Sequence, residues 1–309
     1  MPNTPASDQS IVGLRQVGGS LYELRRYRLP FLLLSPTVLL LVLFLAWPLI
    51  SIFYFCLRKT PLSGPSEFVA LANFRLLFNE GRFQQNIIAS LQYLIGVLGL
   101  SVPFAYLAAL LISSKLRGAG VFRTLFLLPW IIAPVVSAIL FRTMVDPYTG
   151  PIALFLKWLT GKQYLFLVDP NLAVLTIIVH SAWRSFPLEM LLLAAGIAAI
   201  PRELYDAAKV DGAGAWAQFR HVTLPLTRNQ LFAAVLLITV WTLQDAEGVY
   251  SLTQGGPGYA TEVTGVRLFK EAFIYFNIGI ASAIGVALIV LSVIFMAFYL
   301  RVLGTGESQ

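Results

Sequence analysis

The chain has 309 residues, of which 58% are hydrophobic and only 12% are charged, and its mean hydropathy is +0.77. A soluble domain carries about 25% charged residues, so this composition excludes an ordinary soluble protein and indicates an integral membrane protein. The net charge of +7 requires no nucleic acid partner, because basic residues beside membrane spans meet anionic lipid.

The first segment, residues 1–29, is polar and ends in the basic run Arg25-Arg26-Tyr27-Arg28. It lacks a short apolar core followed by a small-residue cleavage site, so we expect no removable signal peptide. Cys56 is the single cysteine, which leaves no partner for an internal disulfide.

Six apolar segments of about 20 residues or more are each long enough to cross a hydrocarbon core of about 30 Å. They are predicted at 31–56, 87–112, 121–141, 172–199, 231–252 and 273–303. The fifth is interrupted by Gln244, Asp245 and Glu247. The sequence therefore predicts an all-α membrane protein with a six-span domain over residues 30–303 and a tail at 304–309.

Lys and Arg in the loops favour cytoplasmic N- and C-termini, with twelve on the inner side and nine on the outer side. The long outer loops cover 57–86, 142–171 and 251–272. Within the second of these, residues 153–159 are expected to form a short interfacial helix, with Lys157 and Trp158 at the membrane boundary.

Polar side chains within the fourth and fifth spans mark a candidate solute path, since intramembrane charges are costly and usually face a cavity. At about 1.5 Å per residue, Arg184 lies about 24 Å from Ile200, and Asp245 lies about 26 Å from Arg228. These similar depths predict that the two side chains share one layer. Pro187 is expected to loosen the fourth helix there.

The loop between these spans, residues 201–226, reads as a helix–turn–helix. Pro201 suits a first helical turn, Asp211 and Gly212 form a breaker pair, and a second short helix is expected over 213–221. Pro225 is expected to end it. Such a hairpin is suited to docking on a protein in the water phase.

This loop resembles a signature of the permease subunits of bacterial ABC importers, Glu-Ala-Ala, three residues, Gly, nine residues, then Ile-x-Leu-Pro. Here Asp206-Ala207-Ala208 is followed by Gly212 and by Val222-Thr223-Leu224-Pro225 at the same spacing. The resemblance implies that this coupling loop docks on an ATPase through eight residues, namely Asp206, Ala207, Ala208, Asp211, Gly212, Ala213, Phe219 and Pro225. Phe219 and its neighbour Trp216 are either anchors in the ATPase groove or packing for the second helix.

The resemblance covers about residues 30–300. The segments 72–78, 122–130 and 252–258 are similar to sugar-importer permeases of the maltose-transporter first-permease type, with six spans here instead of eight. This implies a type I importer permease for a sugar or sugar-like solute in the bacterial inner membrane.

The chain has no Gly-Lys-Ser/Thr phosphate loop with which to hydrolyse ATP. The resemblance implies that separate partner subunits supply this activity. We expect a second homologous permease, two copies of an ATP-binding subunit that holds ATP and Mg²⁺, a periplasmic or lipid-anchored substrate-binding protein, and membrane lipid. For this chain itself we expect no catalytic residues, no metal and no cofactor.

By alignment to the maltose-type permease, the substrate contacts are predicted at Arg184, Ser185, Leu188, Ile238, Trp241, Thr242 and Asp245. An aromatic plate with hydroxyl and carboxylate partners suits a sugar. Three positions depart from the family, because Arg184 replaces an apolar residue, Leu188 an aromatic residue and Ile238 a hydroxyl. These departures put maltose itself in doubt.

Arg184 has three possible roles. It could pair with Asp245, Glu247 or Glu189, hydrogen-bond a neutral sugar, or meet an anionic solute such as a sugar acid, a sulfonated sugar or glycerol phosphate. His180 is expected to be a packed polar residue. The alternatives of another class are a membrane-embedded enzyme, for which no nucleophile with a base is visible, and an ion-coupled secondary transporter using Arg184, Asp245 and Glu247.

Overall fold

The computed structural model describes residues 28–60, 65–114 and 118–304. The predicted N-terminal segment up to residue 27 and the tail from residue 305 lie outside these ranges, as do two of the predicted inner basic residues, Lys115 and Arg117. The described chain is helical except for its loops and a pair of two-residue antiparallel strands, β1 (Arg58–Lys59) and β2 (Glu67–Phe68).

The helices in chain order are α1 (Arg28–Leu41), α2 (Trp47–Phe55), α3 (Ala72–Asn79), α4 (Gly81–Ser113), α5 (Ala119–Ile131), α6 (Pro134–Met144), α7 (Pro151–Thr160), α8 (Pro170–Ala198), α9 (Arg202–Val210), α10 (Ala215–Gln218), α11 (Leu224–Leu226), α12 (Arg228–Gln244), α13 (Glu247–Thr253), α14 (Thr264–Phe273) and α15 (Ile278–Gly304). Two π-helical turns, Val42–Ala46 and Phe219–Thr223, join α1 to α2 and α10 to α11. Among these described helices, three are long and apolar enough to cross a membrane, and three bent helix pairs raise the number to six if each pair is one span.

Within the described residues, 28–52 form a unit of their own. The helical stretch Leu32–Phe55 is strongly apolar, and none of the side chains in its most apolar part is buried. The π-helical turn contains Phe44, whose carbonyl would meet the ring of Pro48 in a regular helix, so the wider turn relieves that clash. An apolar helix without a buried face is typical of a span that contacts lipid.

The second unit is organised around α4 and α8, which pack along much of their length. Gly96 of α4 permits this approach, because a Cβ there would lie 2.4 Å from Cδ1 of Ile178 in α8. Next to this contact, a buried apolar cluster joins α4 and α8 to the chain from α12 to α14. Its members include Tyr93, Val97, Ile177, Ile238, Val249, Leu252 and Val266.

The third predicted span, 121–141, is not straight. Its two halves, α5 and α6, meet at 99°, and the backbone of Ile132 and Ala133 between them is extended, with ψ of 131° and 140°. Pro134 explains the bend, because proline disfavours helical backbone in the residue before it and fits the first position of a new helix.

Three other predicted boundaries also differ. The fifth predicted span, 231–252, is broken after Gln244. The sixth starts at Ile278 and not at residue 273, because Phe276 (φ 55°) turns the chain after α14. The second helix of the hairpin, predicted to end at Leu224-Pro225, ends one residue later at Leu226. Pro225 is tolerated there because the π-helical turn contains His221, whose carbonyl would meet the proline ring in a regular helix. The short helix predicted over 153–159 is present as α7, Pro151–Thr160.

Candidate functional site

A cavity of about 360 Å³ lies between α4, α5, α8 and α12. It is lined by Tyr93, Trp130, Ser181, Arg184, Ser185, Ile238, Trp241, Thr242, Gln244, Asp245, Ala246 and Glu247. The structure therefore brings six of the seven predicted substrate contacts together. The seventh, Leu188, is half-buried one turn farther along α8 and is not part of the lining.

The break in the fifth span places Asp245 at the cavity wall. α12 ends at Gln244, and Asp245 has extended backbone (φ −69°, ψ 95°). Its two carboxylate oxygens accept hydrogen bonds from the Tyr93 hydroxyl (2.7 Å) and from the backbone amide of Gly248 (3.0 Å). The Tyr93 hydroxyl also contacts the hydroxyl of Ser181. Tyr93 therefore connects α4, α8 and the broken fifth span at one point.

Arg184 projects from α8 into the same cavity. Its Nε atom is buried and has no hydrogen-bond partner. Within the described ranges, no carboxylate lies within 4.0 Å of its guanidinium group. The pairing with Asp245, Glu247 or Glu189, one of the three roles left open by the sequence, is therefore not formed among these residues.

His180 and Glu189 lie behind the cavity wall. His180 is buried, with Nε2 3.0 Å from the Ser137 hydroxyl and its ring against Phe141, at 5.4 Å between centroids. This agrees with the expectation of a packed polar residue. Glu189 is also buried and is not among the lining residues. Neither side chain reaches the cavity.

The sequence reasoning does not identify Tyr93 and Trp130 as cavity residues. A signal for Tyr93 exists, because Asn86, Ser90 and Tyr93 recur at helical spacing on α4, and all three are buried. This polar stripe within an apolar span marks the side of α4 that faces other helices. Trp130 carries no comparable signal, since it lies in the apolar run of α5.

The 201–226 loop is a hairpin whose turn depends on Gly212. The amide of Gly212 donates to the Lys209 carbonyl (3.0 Å), and the amide of Ala213 donates to the Ala208 carbonyl (2.8 Å). These are the two bonds of a Schellman motif, which needs a left-handed residue, and Gly212 has φ +78°. The predicted turn position is thus explained by the cap of α9.

The first helix of this hairpin has two distinct faces. Arg202, Tyr205, Asp206 and Lys209 share one face and line a second cavity, between the hairpin and the ends of α4, α5 and α8. Asp206 and Lys209 pair on this face at 2.9 Å. The other predicted docking residues of the loop do not line this cavity, except Phe219. Among them, Ala207, Asp211, Gly212 and Pro225 are exposed to solvent, whereas Ala208 and Ala213 are half-buried.

The two aromatic residues of the hairpin have different environments. Phe219 is half-buried and packs edge-on against Tyr106 of α4, at 5.4 Å between ring centroids. Trp216 stacks on Phe219 at 5.6 Å and remains 71% exposed. Tyr106 also bonds the hydroxyl of Thr227 at 2.9 Å, which ties the hairpin to α4. Phe219 therefore packs the loop, whereas Trp216 presents a free aromatic surface.

An ion network joins the first turns of α4 to the loop before α14. Buried Glu262 accepts two bonds from Arg82 (2.8 and 2.7 Å), one from Lys270 (2.8 Å) and one from the Asn86 amide (3.0 Å). Burial opposes ionisation of this carboxyl, but the hydrogen bonds from these three partners outweigh it and lower the pKa of Glu262 to about 2. The network fixes the loop that contains Glu262 on α4.

Comparisons with known proteins agree with this architecture. Residues 86–303 match the family model described as the binding-protein-dependent transport system inner membrane component. The sn-glycerol-3-phosphate transport system permease protein UgpA of Agrobacterium fabrum is 30% identical, over 88% of this chain and 94% of that protein. The trehalose/maltose transport system permease protein MalF of Thermococcus litoralis is 31% identical, over 90% and 94%. A chain of a bacterial ABC transporter involved in the import of the acidic polysaccharide alginate shares the fold, with a TM-score of 0.78, 23% identity, and coverage of 92% and 98%.

Proposed function

The chain belongs to the family of binding-protein-dependent transport system inner membrane components, and from this premise we propose that it is the membrane-spanning permease subunit of an ATP-driven importer for a sugar or sugar-like solute. The relatives are named as permeases for glycerol phosphate and for trehalose or maltose. The substrate class proposed for this chain rests on the cavity.

The observation that carries the proposal is the 360 Å³ cavity with Arg184 on α8 and Asp245 on the broken fifth span. Sugar hydroxyls both donate and accept hydrogen bonds, so they can accept from the guanidinium group and donate to the carboxylate. Trp241 is 47% exposed and offers an aromatic face to the CH side of a sugar ring. The substrate contacts in this proposal are Arg184, Ser185, Ile238, Trp241, Thr242 and Asp245.

The same proposal places the hairpin in the cytoplasm, with both chain termini on that side. An ATPase subunit would dock on its exposed surface, which includes Ala207, Asp211, Gly212 and Trp216. A second permease would complete the solute path, and an external binding protein would deliver the solute. Closure of two ATPase subunits would push the hairpins and open the path alternately to each side. ATP and Mg²⁺ belong to the ATPase, and this chain has no catalytic step.

A second candidate is an anionic solute, and one observation favours it. Arg184 has no carboxylate partner among the described residues and is available for a phosphate or carboxylate of the solute. Asp245 and Glu247 line the same cavity, however, and give it a formal charge of −1 with Arg184. This balance favours a neutral polyol over an anion.

Uptake into proteoliposomes that contain the reconstituted complex tests the proposal. We expect uptake to require ATP on the hairpin side and to persist after an uncoupler has removed the proton gradient. Uptake that survives ATP depletion and collapses with the uncoupler would instead identify an ion-coupled carrier. Competition by neutral sugars, compared with glycerol phosphate and sugar acids, separates the two substrate classes.

A further inference from the structure

The second cavity, beside the hairpin, has the features of a lipid site. It has a volume of about 1170 Å³, above the range of about 300–1,000 Å³ that is usual for small-molecule pockets. It lies where α4 ends at Ser113, α5 begins and α8 ends at Ala198, so its rim is at the level of the span ends. In the proposed orientation this is the headgroup region of the inner leaflet.

The cavity wall is apolar where it follows the spans. Half-buried side chains from the last turns of α4 and α8 line it, among them Leu110, Ile112, Leu191 and Ile197. A wall of this kind suits an acyl chain. A hydrophilic solute gains nothing from apolar contacts, so the lining favours a lipid over a soluble anion.

The rim of the cavity is basic. Among the described residues that line it, Arg123 of α5 and Arg202 and Lys209 of α9 accompany one carboxylate, that of Asp206, so these side chains carry a net formal charge of +2. Asp206 is paired with Lys209. Among the residues that the structure describes, no carboxylate lies within 4.0 Å of Arg123 or Arg202. Two exposed guanidinium groups therefore remain above an apolar wall.

We propose that this cavity binds an anionic membrane phospholipid, with its phosphate between Arg123 and Arg202 and an acyl chain along the inner ends of α4 and α8. Basic pockets between spans on the cytoplasmic side recognise acidic headgroups in this way. The inference rests on the cytoplasmic placement of the hairpin. It does not require an ATPase partner. The bound lipid would lie directly against α9, the first helix of the coupling loop.

Native mass spectrometry of the purified chain, titrated with phosphatidylglycerol or phosphatidylcholine, tests this site. We expect phosphatidylglycerol to be retained preferentially, and Arg123→Gln and Arg202→Gln each to weaken its binding roughly fivefold. Arg220→Gln is the matched control, because Arg220 is exposed on the same loop but does not line the cavity. Equal melting temperatures of the variants would show that folding is retained.

Two results would overturn the inference. Equal retention of both lipids, or a loss in Arg220→Gln as large as in Arg123→Gln, would mean that binding reflects general surface charge. Displacement of phosphatidylglycerol by free glycerol phosphate at equal concentration would mean that the cavity recognises a soluble anion. Since these readouts use the chain alone, they stand apart from the test of ATP-driven transport.

Discussion

Replacement of Trp216 by alanine tests the role of the hairpin. Trp216 is 71% exposed and stacks on Phe219, whose ring also contacts Tyr106 of α4. Loss of this ring contact costs about 0.5–1.5 kcal/mol, which is too little to unfold the protein. A tryptophan anchor buried in a partner groove contributes about 2–4 kcal/mol, so Trp216→Ala should weaken ATPase association roughly 30- to 1,000-fold.

The assay is the affinity of the detergent-solubilised permease for its ATPase subunit, measured by titration with the labelled ATPase. Trp158→Ala is the matched control, because Trp158 is 80% exposed but lies on α7, outside the hairpin. We expect the control to bind normally. Unchanged affinity for Trp216→Ala, or an equal loss in both variants, would refute the assignment of Trp216 to the docking surface.

Four further predictions concern the cavity, the hairpin and the hydrogen-bond network around Glu262. Gly212→Asp should abolish uptake while the protein stays in the membrane, because it places a carboxylate on the exposed turn of the docking surface, at a backbone φ of +78° that favours glycine. Normal uptake would contradict the docking role. Tyr93→Phe removes the hydrogen bond that holds the Asp245 carboxylate at the cavity wall, a bond of a kind worth about 1.5–3 kcal/mol of stability, so the half-saturating solute concentration should rise several-fold. Unchanged kinetics would show that Tyr93 does not position Asp245 for the solute. Trp241→Ala removes an aromatic side chain of the cavity, so the solute concentration that gives half-maximal uptake should change, while the affinity of the permease for its ATPase should not. Because folding lowers the pKa of Glu262 from 4.5 to about 2, its ionised carboxylate stabilises the fold fully at pH values above 4.5, and this stabilisation is lost as the pH falls toward 2. Glu262→Gln should therefore lower the melting temperature at pH 7, and the melting temperature of the variant should fall less between pH 4.5 and pH 2 than that of the unchanged protein.

The sequence predicts the helical spans well because their apolar composition directly reflects the solvent they cross. It also predicts the turn at Gly212, since an Asp-Gly pair after a helix is a local signal and the Schellman bonds are local. The depth estimate that places Arg184 and Asp245 in one layer depends only on helix rise, and both residues line the same cavity.

Features that depend on contacts between distant segments are not predicted. The 99° bend in the third span requires Pro134 to start a new helix, although a proline within a span is also compatible with a kinked single helix. The bond between Tyr93 and Asp245 joins residues 152 positions apart, and no periodic pattern in either segment specifies it. The environment of Phe219 likewise depends on Tyr106, which lies in another helix.

The central claim is that this chain works as one subunit of an ATP-driven importer. Affinity purification of the tagged chain from native membranes in mild detergent, with mass spectrometry of the co-purifying proteins, tests it most directly. We predict recovery of an ATPase with a phosphate-binding loop together with a second multi-span permease. Recovery of the chain alone or as a homo-oligomer, without an ATPase, would contradict the claim.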